Sequence, residues 1–388
     1  SEVFLLERII TGIPERLGRR VRLVAAVSFV VWLLLVVFWP APALAGYLSA
    51  FRFWAGIPLG CMAIAMMHHL TGGRWGLSSR PPMEASAAAS FMLIPLFLPI
   101  AIGMHALYPW TSHHFWTDAG MSRKLEYLNT PFFLSRALVY LVVWSLCGIW
   151  VLRQSIHGES HDAMDVQYSP RGGALGLVIY VLTTTFASID WVGSLEPRWY
   201  SSILGLYVLV GQVVLAFSFL VLAAAVTQSR NIRPDRDRAD TLADLSTMLL
   251  VFIVLHAYFA YSQFFIIWNG NMAHENDWYV HRMRGIWGGA AVLIIGLHFV
   301  LPLACLLSRQ IKRSGRAMSW VIALIVVGRL IETIWFVVPS LNSSQAVAVL
   351  SALLAFIVLG ALLSYTLLFL WCRRIRLSQL LQMGDVSS

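Results

Sequence analysis

"AMSWVIALIVVGRLIETIWFVV", residues 317–338, holds only two ionisable side chains, Arg329 and Glu332. A helix needs about 20 mostly apolar residues to cross the hydrocarbon core of a bilayer. This stretch therefore predicts a transmembrane helix rather than a helix of a soluble core. Because a charged residue within such a segment is costly, Arg329 and Glu332 are the first candidates for a functional role.

Apolar segments of this kind recur along the whole chain. The 388 residues are 59% hydrophobic and 12% charged, with a mean hydropathy of +0.72, whereas soluble domains average about 25% charged. We predict an all-α integral membrane protein with about ten transmembrane helices, arranged as two four-helix bundles plus two peripheral helices. The predicted spans are 21–40, 50–70, 84–108, 131–152, 172–190, 201–227, 244–268, 285–307, 317–338 and 346–372.

The positive charge is distributed unevenly between the two sides of the predicted membrane. Of the 28 Lys and Arg residues, 20 fall on the side that holds both termini, 7 on the opposite side and one, Arg329, within a span. By the positive-inside rule both termini are expected in the cytoplasm. Residues 1–388 then form a single polytopic membrane domain, with a cytoplasmic segment 1–20, about ten helices over 21–372 and a cytoplasmic tail 373–388. The asymmetry explains the net charge of +9 without a nucleic-acid partner.

Polar residues within the spans form the candidate proton path or quinone site. Arg329 and Glu332 are three residues apart, so they share a helix face and can pair. Two interpretations stay open: a structural ion pair between helices, or part of a proton-conducting or quinone-adjacent chain. The other candidates are ionisable or hydroxyl-bearing groups ordered by predicted depth from the cytoplasmic mouth outward, namely His69, Glu84, His298, His256, Tyr261, Asp190 and His105.

Cofactor motifs give no positive signal. His256 and His298 lie on neighbouring predicted spans but are expected at different depths, so a bis-histidine haem is not predicted. The four cysteines are scattered singly, without CxxC or metal-ligand spacing. No nucleophile–base signature appears. We therefore assign no catalytic residue and no metal site, and expect a chain that is not an enzyme on its own.

The outer connections are rich in aromatic residues. "SIDWVGSLEPRWYSS" (188–202) and "WNGNMAHENDWYVHRMR" (268–284) mix Trp and Tyr with Asn, Asp, Glu and Arg. This mixture suits a surface that docks a partner protein, although an ordinary interfacial aromatic belt is the alternative. The candidate docking residues are Trp191, Glu196, Arg198, Trp199, Tyr200, Trp268, Asn269 and Trp278.

Three stretches carry a resemblance to a known family. They are "HLTGGRWGLSSRPPMEA" (69–85), "TFASIDWVGSLEPRWYSSILGLYVLVGQ" (185–212) and "YFAYSQFFIIWNGNMAHENDWYVHRM" (258–283). Together they resemble segments of the shorter NrfD-type, polysulfide-reductase-like membrane subunit of bacterial alternative complex III. The three stretches are spread along a ten-span chain, so the resemblance covers nearly its whole length.

The resemblance implies an integral subunit of a respiratory quinol:cytochrome c oxidoreductase in the bacterial cytoplasmic (inner) membrane. Such a subunit contributes to a quinone-side cavity, a proton path and the anchoring of a periplasmic iron–sulfur subunit. The implied partners are that subunit, a second NrfD-type membrane subunit, multihaem and monohaem cytochromes c, lipids and, in some assemblies, a terminal oxidase. The haem c and iron–sulfur clusters belong to the partners, while quinone or menaquinone and lipids are the ligands left open for this chain.

Two alternatives compete with this interpretation. The chain could be a purely structural membrane scaffold, in which case its buried charges are interhelical pairs. It could also be a stand-alone secondary transporter, a class that often has Gly- or Pro-broken helices at corresponding places in two halves. Pro58, Pro95 and Pro99 interrupt the first half, but Pro302 and Pro339 do not mirror them, which disfavours a transporter.

Overall fold

The computed structural model describes residues 15–73, 79–112, 124–158, 169–229, 236–341 and 344–385. These residues contain ten helices that are long and apolar enough to cross a membrane, and no strand is found among them. The prediction of an all-α chain with about ten spans is confirmed. The helices are α1 (Glu15–Phe38), α2 (Pro40–Thr71), α3 (Arg80–Ala88, continuing through the 3-10 turn Ala89–Met92 into Leu93–Ile102), α4 (Thr130–Gly158), α5 (Pro170–Trp191), α6 (Leu204–Ser229), α7 (Arg236–Gly270), α8 (Gly285–Ile294, continuing through the π turn Ile295–Val300 into Leu301–Leu306), α9 (Gly315–Val337) and α10 (Gln345–Asp385).

The second span begins ten residues earlier than its predicted start at residue 50. The sequence "WPAPALAG" (39–46) has the composition of a loop, but Pro40 and Pro42 fall in the first turn of α2, where a missing N–H costs nothing. Arg52, which the charge count placed on the outer side, therefore lies inside a membrane-length helix. This change brings a second arginine into the interior of the protein.

The predicted terminal segments are described only in part. Residues 1–14 of the segment 1–20 and residues 386–388 of the tail 373–388 lie outside the described residues. The backbone of α1 begins at Glu15, and that of α10 extends to Asp385. The predicted tail is thus largely a helical continuation of the last span.

Helix α2 is the central element of the fold. It packs against α3, α5, α6, α9 and α10. Two glycines permit the closest approaches, because a Cβ at Gly46 would strike the backbone of Ala348 on α10 and a Cβ at Gly60 would strike that of Gln212 on α6. Small residues at such crossings let membrane helices pack backbone to backbone.

Helices α6 to α9 surround the region that matters for function. Helix α6 packs against α7 and α9, and α8 packs against both α7 and α9, with α2 behind α6 and α9. The alternation of ten spans puts residues 103–112, 124–129, 192–203 and 271–284 at one end of the protein, which we call the motif end. The short helix Ala273–Met283 lies there, between α7 and α8.

Candidate functional site

Four polar side chains from three helices meet in the protein interior. We call His256 of α7, His298 of α8, and Arg329 and Glu332 of α9 the central cluster; all four are buried. Arg329 Nη1 donates to Glu332 and lies 2.9 Å from His256 Nε2. Glu332 carboxylate oxygens lie 3.4 Å from His256 Nε2 and 3.8 Å from His298 Nδ1.

The hydrogen bonds of the cluster fix the protonation of one imidazole. A guanidinium can only donate, so Nε2 of His256 must accept from Arg329. The imidazole of His256 is therefore neutral and carries its proton on Nδ1. The predicted pairing of Arg329 with Glu332 is present in this structure, and it is extended by two histidines from neighbouring helices.

The expectation that His256 and His298 lie at different depths is wrong. Their ring centroids are 4.7 Å apart. His298 lies in the π turn Ile295–Val300, which changes the direction of side chains along α8. Gly328 permits the contact between α8 and α9, because a Cβ there would come within 2.9 Å of His298 Cβ. Periodicity cannot reveal a π turn, since it assumes a constant helical repeat.

Three further residues of the site were not found from the sequence. Gly211 of α6 seats the Arg329 guanidinium, because a Cβ at this glycine would come 2.7 Å from Arg329 Cζ. Tyr207 of α6 packs on His256 with ring centroids 4.6 Å apart. Arg52 of α2 lies near the same region, over the ring of Phe336. Of these three residues only Arg52 could have been recognised from the sequence, because it is a single charged residue within an apolar stretch.

A cavity of about 470 Å³ lies between α7, α8 and α9 and ends on the central cluster. Its walls are mainly apolar, and its volume falls within the usual range for small-molecule sites. His256, His298 and Glu332 supply the ionisable groups. The lining residues are Tyr207, Ile253, His256, Ala257, Ala260, Tyr261, Gln263, Phe264, Tyr279, Met283, Ala291, Ile294, Ile295, His298, Phe299, Glu332, Trp335 and Phe336.

The cavity opens sideways, between α7 and α8. Tyr261 and Ile295 line it and are 62% and 57% exposed on the outside of the protein. Both belong to helices that are long and apolar enough to cross a membrane. Towards the motif end the cavity reaches Tyr279, whose hydroxyl accepts from Gln263 Nε2 at 3.3 Å. Burial raises the pKa of Tyr279, so its hydroxyl stays neutral and can donate.

Two atoms of the cluster are available to a ligand. His298 Nε2 and Glu332 Oε1 are buried and have no hydrogen-bond partner among the described residues. Buried polar atoms are normally paired, so an unpaired set beside a cavity indicates where a hydroxyl or carbonyl would bind. Both residues also line the cavity.

The same residues have the spacing of a metal site. Ligand atoms of His256, His298 and Glu332 all lie within 4.8 Å of one another. However, the Arg329 guanidinium is hydrogen-bonded to two of these side chains, and its fixed positive charge repels a cation. The arrangement therefore favours a neutral ligand that hydrogen-bonds over a metal ion.

Asp190 is closed into an ion pair rather than open to a cavity. The side chain is fully buried. Arg136 donates to both of its carboxylate oxygens at 2.8 and 2.9 Å, and the Tyr140 hydroxyl donates at 2.9 Å. This bidentate geometry is among the strongest that a carboxylate can make.

The remaining relay candidates lie in separate groups. Glu84 is buried between Arg80 at 3.1 Å and Arg374 at 3.2 Å. His69 is buried near the same end of the protein and meets the ring of Trp150 edge-on at 5.6 Å. His105 is exposed. The structure thus brings together His256, His298, Arg329 and Glu332, and leaves His69, Glu84, His105 and Asp190 elsewhere.

The predicted docking residues divide into two classes, apart from Glu196, which is half-buried and pairs with Arg282 at 2.8 Å. Arg198, Tyr200, Trp268 and Asn269 are exposed, and their docking role stays a prediction. Trp191, Trp199 and Trp278 are instead buried within the chain, so they are wrong as surface contacts. An aromatic residue at a helix end can fold back onto its own chain as readily as it meets a partner.

The two aromatic motifs contact each other at the motif end. Trp199 stacks on Trp278 with ring centroids 4.5 Å apart and an interplanar angle of 13°. Beside them the buried Arg282 donates to Glu196 Oε1 at 2.8 Å and to Ser340 Oγ at 2.7 Å. We call Glu196, Arg282 and Ser340 the motif-end latch, because they tie three connections of the chain together.

Comparison with known proteins leaves the chain without an assigned family. No protein-family model matches it, and no curated protein matches it. The central cluster and the cavity that ends on it are therefore the features that bear on its function.

Proposed function

We propose that this chain is an integral membrane subunit of a quinol:cytochrome c oxidoreductase of the alternative complex III type, and that its large cavity binds the quinone head group. The observation that carries the proposal is the apolar cavity of about 470 Å³ that opens between two membrane helices and ends on His256, His298 and Glu332. The resemblance of three sequence stretches to the NrfD-type subunits points to the same ligand.

The chemistry of a quinone suits this cavity. Its ring is flat and carries oxygens on opposite edges, and its isoprenoid tail dissolves in lipid. The unpaired Nε2 of His298 and Oε1 of Glu332 offer partners for one oxygen at the closed end. The neutral hydroxyl of Tyr279 is a donor farther towards the motif end. The tail would leave through the opening beside Tyr261 and Ile295.

The cluster is arranged for proton release from a quinol. Oxidation breaks both O–H bonds, so two protons and two electrons leave the ring. His298 Nε2, with Glu332 beside it, is a suitable acceptor for the proton of the hydroxyl at the closed end, and the proton of the opposite hydroxyl would leave through the hydrogen-bonding hydroxyl of Tyr279 towards the motif end. The fixed charge of Arg329 balances the carboxylate between turnovers. The electrons pass to iron–sulfur and haem c centres in the partner subunits.

The assembly completes the proposal. The motif end faces the periplasm and both termini face the cytoplasm, as the charge asymmetry predicts. Helices α2–α5 and α6–α9 are the two four-helix bundles, with α1 and α10 at the periphery. The exposed residues Arg198, Tyr200, Trp268 and Asn269 form the surface that anchors the periplasmic iron–sulfur subunit. The second NrfD-type subunit and lipids cover the outer faces of the helices.

The proposal is tested on the intact complex carrying His298→Gln. Gln keeps a hydrogen-bonding group of similar length but cannot take up a proton at neutral pH. Quinol:cytochrome c reductase activity should fall at least tenfold, in the range typical for loss of a general base. The matched control is His105→Gln, an exposed histidine outside the cavity, which should retain full activity. Equal activity in both variants would contradict the proposal.

A scaffold is the second candidate function. Glu84 sits between two arginines, and Asp190 is fully paired, as expected of charges that only join helices. The substitutions Glu332→Gln and Glu84→Gln separate the two functions in the assembled complex. If the scaffold is the whole role, quinol oxidation and proton translocation will be unchanged in both variants. If the cavity is functional, Glu332→Gln will slow oxidation.

A further inference from the structure

A second, much smaller cavity lies on the other side of Arg329. It has a volume of about 30 Å³ and is lined by residues of α2, α4, α5, α6 and α9. Arg52 and Arg329 both line it, together with the polar side chains of Thr184, Ser188 and Gln212. Neither the central cluster nor the proposed quinone chemistry uses this space.

Three donors at this cavity are left without acceptors. Arg52 Nη1, Arg329 Nε and Thr184 Oγ1 are buried and find no hydrogen-bond partner in the described ranges. Arg329 and Thr184 are nearly inaccessible to solvent. An unpaired charged donor in a membrane interior is strongly unfavourable, so two such donors and a hydroxyl around one space require an acceptor.

The local charge has the sign that an anion would balance. Arg52 and Arg329 carry two positive charges, and His256 is neutral. Glu332 is the one carboxylate among the described residues that line either cavity. It is engaged by Nη1 of Arg329, on the side of the central cluster. One positive charge therefore remains uncompensated next to the small cavity.

The volume selects the kind of anion. A cavity needs about 10–15 Å³ to hold a water, so this one has room for about two water-sized particles. That excludes the carboxylate of an organic acid with its carbon skeleton. We propose that this cavity is a buried binding site for a monatomic anion of the chloride class, held by Arg52, Arg329 and Thr184.

The site is linked to the central cluster through one side chain. Nη1 of Arg329 contacts His256 and Glu332, while Nε of the same side chain, which also lines the small cavity, has no partner among the described residues. A bound halide would hold the guanidinium from the second side and so fix the position of the cluster. Its detection does not depend on quinone, because halide binding and halide-dependent stability are measured on the chain without any redox reaction.

The experiment uses the full chain in detergent, exchanged into sodium gluconate, whose anion is too large for the cavity. Chloride and bromide are titrated at constant ionic strength while the thermal unfolding midpoint and the binding of radioactive chloride are recorded. We expect saturable binding of one halide and a midpoint that rises with its concentration, because a ligand of the folded state stabilises it.

Three variants locate the effect. Arg52→Met should abolish the halide-dependent shift. Thr184→Val, which removes one hydroxyl at constant shape, should weaken halide affinity about three- to tenfold. Arg309→Met removes an exposed arginine far from the cavity and should leave the titration unchanged. Should Arg52→Met fail to fold, Thr184→Val still decides the question.

Two results would overturn the proposal. The first is the absence of saturable halide binding, which means that the cavity holds water only. The second is a halide effect of equal size in the wild-type chain, Thr184→Val and Arg309→Met, which places the binding elsewhere.

Discussion

The motif-end latch and the central cluster are built from the same parts but differ in how completely their polar atoms are paired. Each joins an arginine to a glutamate beside aromatic rings. Arg282 donates to five acceptors, three of them backbone carbonyls, and its guanidinium lies 3.8 Å over the ring of Trp278. In the central cluster Arg329 Nε, His298 Nε2 and Glu332 Oε1 lack hydrogen-bond partners among the described residues.

Under the proposed function, this difference separates polar groups that only stabilise the fold from those that bind a ligand. A fully paired buried charge stabilises one arrangement of the chain and leaves no atom for a ligand. A partly paired group beside a cavity costs stability until something else binds it. The two sites contain the same types of residue, so only the pairing of their polar atoms distinguishes them.

Arg282→Met should produce the largest destabilisation. It removes five hydrogen bonds and leaves Glu196 without its ion-pair partner, at a cost of about 3–5 kcal/mol. The unfolding free energy of the purified chain measures this loss. Arg284→Met, an exposed arginine two residues away, is the control and should change stability by less than about 0.5 kcal/mol. Similar losses in both variants would mean that the latch is not structural.

Asp190→Asn should be the next most harmful change. Asn keeps the shape and one acceptor, but it loses the charge that Arg136 and Tyr140 bind, at about 2 kcal/mol. Quinone affinity should be unchanged, because Asp190 does not line the large cavity. A normal unfolding free energy with altered quinone affinity would instead place Asp190 in the quinone site.

Gly211→Ala should connect packing with binding. The added Cβ would overlap the Arg329 guanidinium, so the side chain must shift, at a cost of about 1–3 kcal/mol. Quinone affinity and halide affinity should both fall, since Arg329 lines the small cavity and is hydrogen-bonded to His256 and Glu332, which line the large one. Gly289→Ala is the control, because no heavy atom lies within 4 Å of a Cβ there. Unchanged affinities in Gly211→Ala would show that Arg329 serves neither cavity.

Trp199→Phe should have a smaller effect confined to the motif end. It weakens the stack on Trp278, which is worth about 1 kcal/mol beyond its buried area. Thermal unfolding of the chain measures this loss. Quinone binding should be indistinguishable from that of the wild-type chain, and a change there would mean that the motif end shapes the cavity.

His298→Gln should have the smallest effect on stability and the largest on binding. Since His298 Nε2 has no partner in the described part of the chain, its loss removes no hydrogen bond at that atom. We expect a change of less than about 1 kcal/mol in unfolding free energy and at least a tenfold loss in affinity for a quinone analogue. A large loss of stability without a loss of quinone affinity would mean that the central cluster is structural, like the motif-end latch.

The fold and half of the site follow from the sequence for a clear physical reason. Bilayer thickness imposes length and apolarity on every span, so ten helices and the pairing of Arg329 with Glu332 on one face are encoded locally. Contacts between helices are not encoded locally, because they depend on how the spans pack. The proximity of His256 and His298 depends on the π turn in α8. The position of Arg52 inside a span depends on α2 beginning at Pro40 rather than at residue 50.

At the motif end the sequence predicted partner contacts for side chains that are in fact packed inside the chain. Trp191, Trp199, Trp278 and Glu196 have the composition of a docking surface, yet they pair within the chain. Composition predicts that such side chains are buried, but it does not predict whether another chain or the same chain buries them. The internal stack of Trp199 on Trp278 decides this for one part of the motif end.

Photo-crosslinking with an azido-quinone in native membranes examines the large cavity at residue level. The proposed function predicts that labelled peptides come from α7 and α8, at lining residues such as Ala291, Ile295 and Phe299. Labelling should fall with excess quinone and in His298→Gln, but persist in His105→Gln. Specific labelling confined to other helices of this chain, or labelling indifferent to His298→Gln, would contradict a quinone site at the central cluster.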